Sequence, residues 1–287
     1  MERYFDFHEG CVRVLERGPP PRSAAGTLIF LHGRYGTPES WERLTAALSR
    51  RFYCLGVELP GFGRSEWVPQ SCLTFPEFEK FFGKLVRQVV QAAEGAGKVV
   101  LVGHDLGGTL AQLAIRDLPG QLAGMVLLNS GTLTQSEQHP CSGALRSWRA
   151  RHLLSKLLST APQLPPDLRP QLELGWRNPR LRAVRVRALE LLSTSWPSAD
   201  ERESWRRLYE RFPLPVLLLW GRRDILNPPE NGFALLKSFK QAEFFELDQV
   251  GHWPHLEDPE WVFHKISEFL FKLEPAAVLS GRKSLSR

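Results

Sequence analysis

Seven short apolar runs recur along the chain: "CVRVLE" (11–16), "GTLIFLH" (26–32), "YCLGVE" (53–58), "KVVLVG" (98–103), "AGMVLLN" (123–129), "PVLLLWG" (215–221) and "AEFFELD" (242–248). Most are continuous rather than alternating, the pattern of strands covered on both faces. Helical spacing fills the intervals near 39–50, 74–94, 107–117, 230–239 and 259–272, and "TPES" ahead of Trp41 offers an N-terminal cap. Alternating β and α units predict an α/β fold, with a mostly parallel central sheet and helices on both faces.

The alternation breaks once. Between 133 and 212 no strand pattern appears; amphipathic pieces such as "GALRSWRARHLLSKLLS" and "LRAVRVRALELLST" are separated by "APQLPPDLRP". This predicts a helical cap over 133–212, inserted into a core built from 1–132 and 213–275. The tail over 276–287, "AAVLSGRKSLSR", is small, polar and basic, and is expected to be flexible.

Composition narrows the classes. With 287 residues and 43% hydrophobic content the chain can bury one large core. No apolar run approaches the ~20 residues of a membrane span. The opening "MERYFDFHEG" lacks the apolar stretch of a secretory signal, so the cytoplasm is the expected location. Cys11, Cys54, Cys72 and Cys141 are scattered without a C-x-x-C pair, which argues against a disulfide framework or a metal site. The segment from Gln135 to Phe212 holds fourteen Arg or Lys against eight Asp or Glu, and so carries the chain's whole net charge of +6. It reads either as attraction for an anionic small-molecule substrate or as a solvated helical face. No nucleic-acid module accompanies the charge, so nucleic acid is not an expected partner. Nothing in the sequence indicates the oligomeric state.

The chemistry concentrates at "KVVLVGHDLGGTL", Lys98 to Leu110. A buried strand runs into a glycine-rich turn and then a helix. Gly103 and Gly107 meet the steric demand of a tight turn, and Gly108 lets the helix approach the sheet. Asp105 occupies the tip. An acid there is either a simple helix cap or a reactive group. Two further pieces follow in order: Asp224 in "LLLWGRRDILNP", just after a late strand, and His252 in "LDQVGHWPHLEDPEW", after the last one. Upstream, "IFLHGRYGT" sets His32 and Gly33 at the end of an early strand, and "VELPGFGRSEW" places a glycine-rich loop after the next.

Taken together these pieces resemble the α/β-hydrolase family over nearly the whole chain, with 133–212 in the place of its cap. The resemblance implies nucleophile, acid and base on Asp105, Asp224 and His252. It implies an oxyanion hole from the backbone N–H groups of Arg34 and Leu106. The Arg34 side chain is left open, either to solvent or to an anion at the mouth. Asp248 is the alternative acid. Asn129 stands where some relatives place the acid and cannot act as one.

An aspartate at the tip resembles the branch of epoxide hydrolases and haloalkane dehalogenases. A carboxylate is ionised at neutral pH and attacks a saturated carbon without a base. The alkyl ester so formed must then be hydrolysed by water activated at His252. Leu106 replaces the tryptophan that commonly follows the nucleophile in that branch, which removes a halide donor. Trp148, Trp176, Trp196 and Trp205 of the cap segment are candidates to replace it, although cap tryptophans more often pack. Tyr209 and Tyr35 are the candidate donors to an oxygen leaving group, so an epoxide is preferred over an organohalide. The alternatives are an enzyme of this fold in which Asp105 acts without a covalent bond, and a non-enzymatic ligand-binding member of the fold. No cofactor or metal is implied.

Overall fold

The computed structural model describes residues 1–7, 10–60, 62–65, 75–92, 99–117, 120–134, 155–159, 161, 164 and 197–273. Eight strands among these form one sheet: β1 (Glu2–Phe7), β2 (Gly10–Arg17), β3 (Thr27–Leu31), β4 (Tyr53–Val57), β5 (Val99–His104), β6 (Leu122–Leu128), β7 (Val216–Gly221) and β8 (Ala242–Leu247). Their spatial order is β1-β2-β4-β3-β5-β6-β7-β8. β1 and β2 run antiparallel at one edge; every pairing from β4 to β8 is parallel. β1 goes beyond the expected strands. Its sequence, ERYFDF, forms an edge, with Tyr4 exposed, and an edge strand needs no continuous apolar run.

Among the described residues the helices include α1 (Glu42–Leu48), α2 (Phe75–Ala92), α3 (Leu106–Asp117), α4 (Ala199–Arg211), α5 (Pro229–Ser238), α6 (Pro254–Glu257) and α7 (Pro259–Leu273). The cap expected at "TPES" is not made. Pro38 leads a 3-10 turn, Pro38–Trp41, and Thr37 forms no side-chain cap bond; Ser40 instead donates through N and Oγ to the Thr37 carbonyl, at 3.0 and 2.7 Å.

Continuous apolar strands follow from two covered faces. Side chains alternate along a strand. Ile29, Leu31 and Leu101 join α2, α3 and α5 residues in one apolar layer; Leu28, Phe30, Val100 and Val102 join α1 and α7 residues in the other.

Most of the expected cap, including Trp148, Trp176 and Trp196 and most of the two amphipathic pieces, lies outside the described residues, as does the tail over 276–287. Its described parts are tied to the core. Leu157, Leu158, Ala161 and Leu164 are buried in the first layer. Ser198 caps α4 reciprocally with Glu201. On that helix Trp205 lies under the Arg116 guanidinium, 4.8 Å away, and Tyr209 stacks on Phe239 at 4.5 Å. Among the described residues, no helix is long and apolar enough to cross a membrane.

Candidate active site

Parallel strands bring their C-terminal ends to one edge, where the loops that follow them converge. β5 ends at His104, α3 begins at Leu106, and Asp105 stands between them with φ of 51°. Aspartate tolerates this left-handed backbone better than most residues, and its cost is accepted mostly at functional sites. The turn closes because its neighbours lack side chains. A Cβ on Gly103 would meet the Gly107 carbonyl at 2.5 Å, and one on Gly107 would collide with the Leu31 carbonyl.

Three other loops reach Asp105. From the loop after β3, the Arg34 backbone N–H donates to Oδ2 at 2.9 Å. The Arg34 side chain turns inward too: Nε donates to Oδ2 and Nη2 meets Oδ1, each at 3.0 Å. From the loop after β7, Asn227 Nδ2 donates to Oδ1 at 2.8 Å. From the loop after β8, His252 Nε2 stands 3.9 Å from Oδ2, beyond hydrogen-bond reach. Asp105 and His252 are both fully buried.

Behind His252, Nδ1 donates to Asp224 Oδ2 at 2.8 Å. This leaves Nε2 as the basic nitrogen of the neutral ring, facing Asp105. Nε2 has no hydrogen-bond partner among the described residues. Asp224 is itself held. Asn129 Nδ2 donates to its Oδ2 at 2.7 Å, and the N–H groups of Leu226 and Asn227 donate to its Oδ1. Asn129 therefore supports Asp224. Asp248 lies elsewhere, exposed and paired with Arg222 at 2.8 Å.

The charges follow from these contacts. Burial would raise the Asp105 carboxyl, but the Arg34 guanidinium, then His252 and His104, outweigh it and hold Asp105 far below the ordinary carboxylate range. Burial pulls His252 down; the Asp224 carboxylate, reinforced by Asp105, more than offsets this and raises it above the usual imidazole value. Burial, with His252 beside it, lowers His104 to about 3. His104 is thus a neutral ring whose Nε2–H donates to the His252 carbonyl at 2.6 Å, fixing the histidine loop from below. Glu257 fixes the loop from the other side, accepting from the Gly251 and Trp253 N–H groups at 3.0 Å.

The remaining expected site residues fall as follows. Leu106 opens α3, whose first N–H groups lack partners within the helix. Tyr35 is buried beside Arg34. Tyr209 is buried on α4, with its hydroxyl given to Gln112 Oε1; Gln112 in turn donates to Ser130 Oγ and the Gly131 carbonyl at 3.0 and 2.8 Å. Tyr209 therefore ties α4 to α3. Asn227 and Glu257 carry no family signature in the sequence. Asn227 stands three residues after Asp224 in "DILNP", and Glu257 five after His252 in "HWPHLE", a spacing that places a carboxylate near the loop's own N–H groups. Among the described residues no group of three or more His, Cys, Asp or Glu is arranged to hold a metal ion.

This arrangement can present an ionised carboxylate, one oxyanion donor and a carboxylate-paired imidazole to a single reacting centre. Comparison with known proteins agrees with the fold. The chain is 24% identical over 253 residues to the uncharacterized hydrolase YugF of Bacillus subtilis, covering 85% of this chain and 89% of that one. It is 23% identical to a 2-hydroxy-6-oxononadienedioate/2-hydroxy-6-oxononatrienedioate hydrolase of Paraburkholderia phymatum, covering 90% and 94%. The crystal structure of CarC, a serine hydrolase involved in carbazole degradation, superimposes with a TM-score of 0.73 at 18% identity, over 95% of this chain and 99% of that one. Residues 28–265, from β3 into α7, match the alpha/beta hydrolase family, and the chain belongs to it.

Proposed function

We propose that this α/β-fold hydrolase acts through an alkyl ester on Asp105, on a substrate with a displaceable group at a saturated carbon, an epoxide or an organohalide. The carrying observation is the pairing of Asp105 at the turn tip with His252, whose Nε2 stands 3.9 Å from Oδ2 and whose Nδ1 is bonded to Asp224.

In the first step a lone pair on Oδ1 forms a C–O bond while the bond to the leaving group breaks, and that group departs with the electron pair. In the second, water attacks Cγ of Asp105 and gives a proton to His252 Nε2. Negative charge gathers on Oδ2, where the Arg34 N–H already donates. Collapse expels the product with Oδ1, which takes the proton back from His252; water's oxygen remains on Asp105, and the carboxyl proton it carries passes to solvent or, with an epoxide, to the opened oxygen. Each oxyanion donor contributes about 2.7–4 kcal/mol in comparable sites. Tyr209 gives its hydroxyl to Gln112, and would have to break that bond to serve an opening epoxide. The dioate in the Paraburkholderia relative's name makes an anionic substrate a natural class to test.

One observation favours a second reading, in which Asp105 acts without a covalent bond. Four donors already engage its two oxygens. A single turnover in 18O-water separates the two. The ester route leaves the label on Asp105 and an unlabelled first product; label in the first product would sink it.

A further inference from the structure

Arg34 joins the buried site to its surface. Its Nε and Nη2 rest on Asp105, yet its side chain keeps 15% exposure against none for Asp105. With the Arg34 N–H and Asn227 Nδ2, each carboxylate oxygen holds two donors. A carboxylate offers about four lone-pair sites. Neither oxygen can receive a new partner until a donor leaves.

The donors differ in their freedom to leave. Asn227 is fully buried, and its Nδ2 also donates to the Asn129 carbonyl at 2.7 Å. The Arg34 N–H belongs to the backbone. The other two donors, Nε and Nη2, sit on a flexible side chain that keeps 15% exposure. Turning it away breaks a buried ion pair, which disfavours the open state by roughly a hundredfold or more if nothing replaces the lost charge. An uncharged substrate offers no replacement. A carboxylate does, because the planar Nε/Nη2 edge that grips Asp105 is the edge that grips any carboxylate. After the exchange Asp105 keeps one donor on each oxygen, from the Arg34 N–H and Asn227.

We propose that Arg34 determines specificity here by exchange: its guanidinium passes from Asp105 to a carboxylate on the incoming substrate, so the site selects anions and exposes Oδ1 in one movement. The exposure of Oδ1 matters catalytically only if Asp105 is the nucleophile, as proposed above; the exchange itself does not depend on that reading.

The exchange can be read without chemistry. Propionate, an unreactive carboxylate, and propionamide, its uncharged counterpart, are titrated into the full chain while the arginine Nε–H resonances and the heat of binding are followed. Wild type is expected to bind propionate in preference to propionamide. Asp105→Asn keeps the shape and removes the competing charge, so propionate should bind roughly tenfold tighter or more. Arg34→Gln should lose the preference, and Arg34→Lys, which keeps the charge but not the fork, should retain part of it. Unchanged or weaker propionate binding by Asp105→Asn would overturn the exchange. So would no binding by any variant, or a preference that survives Arg34→Gln. Absence of an alkyl adduct on Asp105 in a separate mass measurement would remove the ester route and leave these outcomes intact.

Discussion

Arg13 and Arg34 each set a guanidinium on a buried carboxylate, and the two regions differ in what surrounds the pair. Arg13, on β2, reaches Glu58 at 3.1 Å, Glu39 at 2.7 Å and Glu2 at 3.2 Å. Glu58 also accepts from the Arg64 and Ser65 N–H groups, so the pair pins the loop after β4. Burial raises the Glu58 carboxyl above its usual value, and Arg13, shared among three acids, does not fully offset this. Arg34 gives two nitrogens to one acid, with two histidines behind it, and Asp105 is held low although it is more deeply buried. A buried Arg–carboxylate pair is therefore no signature of a site. The left-handed backbone under Asp105 and the Asp224-paired imidazole beside it are what separate the two.

The contrast breaks first at His252. His252→Gln should slow hydrolysis of the Asp105 ester by roughly 10²–10⁴-fold while alkylation continues. Intact-mass kinetics after exposure to epoxides, haloalkanes and haloacids would show an accumulating adduct; wild-type turnover with no adduct in the mutant would remove Asp105 as nucleophile. On the other side, Arg13→Ala should cost about 3–5 kcal/mol in urea unfolding, because the buried Glu58 loses its cation. A cost below about 1 kcal/mol would mean that Glu58 is solvated rather than held.

A pH series sharpens the difference within the site. Adduct decay needs His252 neutral, and its folded value is raised. Decay should fall as pH drops through the imidazole's range, which Asp224 alone holds up in the adduct because the ester removes the Asp105 charge. Adduct formation needs Asp105 ionised, and Asp105 is held low, so formation should persist well into acid. A shared acid limb for both steps would contradict this assignment. The smallest effect is expected at Tyr209. Tyr209→Phe leaves Gln112 Oε1 without its donor and should cost about 1–3 kcal/mol of stability. A drop of more than about 10²-fold in epoxide opening, the size of a lost acid catalyst, would instead restore Tyr209 as the leaving-group donor.

Much of this was legible along the chain. Seven of the eight strands announce themselves as apolar runs, the inner β3 to β7 because both faces of the sheet cover them. β1 does not, because an edge strand can be polar. The order of Asp105, Asp224 and His252 is visible because each follows a strand, and parallel strands end on one side. The Arg34 clamp and Asn227 were not legible. Nothing local distinguishes an arginine that folds back from one that points to water; that depends on a buried charge contributed from 71 residues away. The same holds for Tyr209, whose hydroxyl is claimed by a glutamine 97 residues distant.

By itself, then, the sequence determined the doubly covered sheet, the turn that lifts an acid above it and the chain order of the candidate acid and base. These rest on periodicity and on steric rules that act within a few residues. Tertiary structure alone decided which donors meet Asp105, how far His252 stands from it, and that Tyr209 ties α4 to α3. Those outcomes depend on which long polar side chains find a buried partner across the fold, where desolvation makes each unpaired group costly and so selects one arrangement.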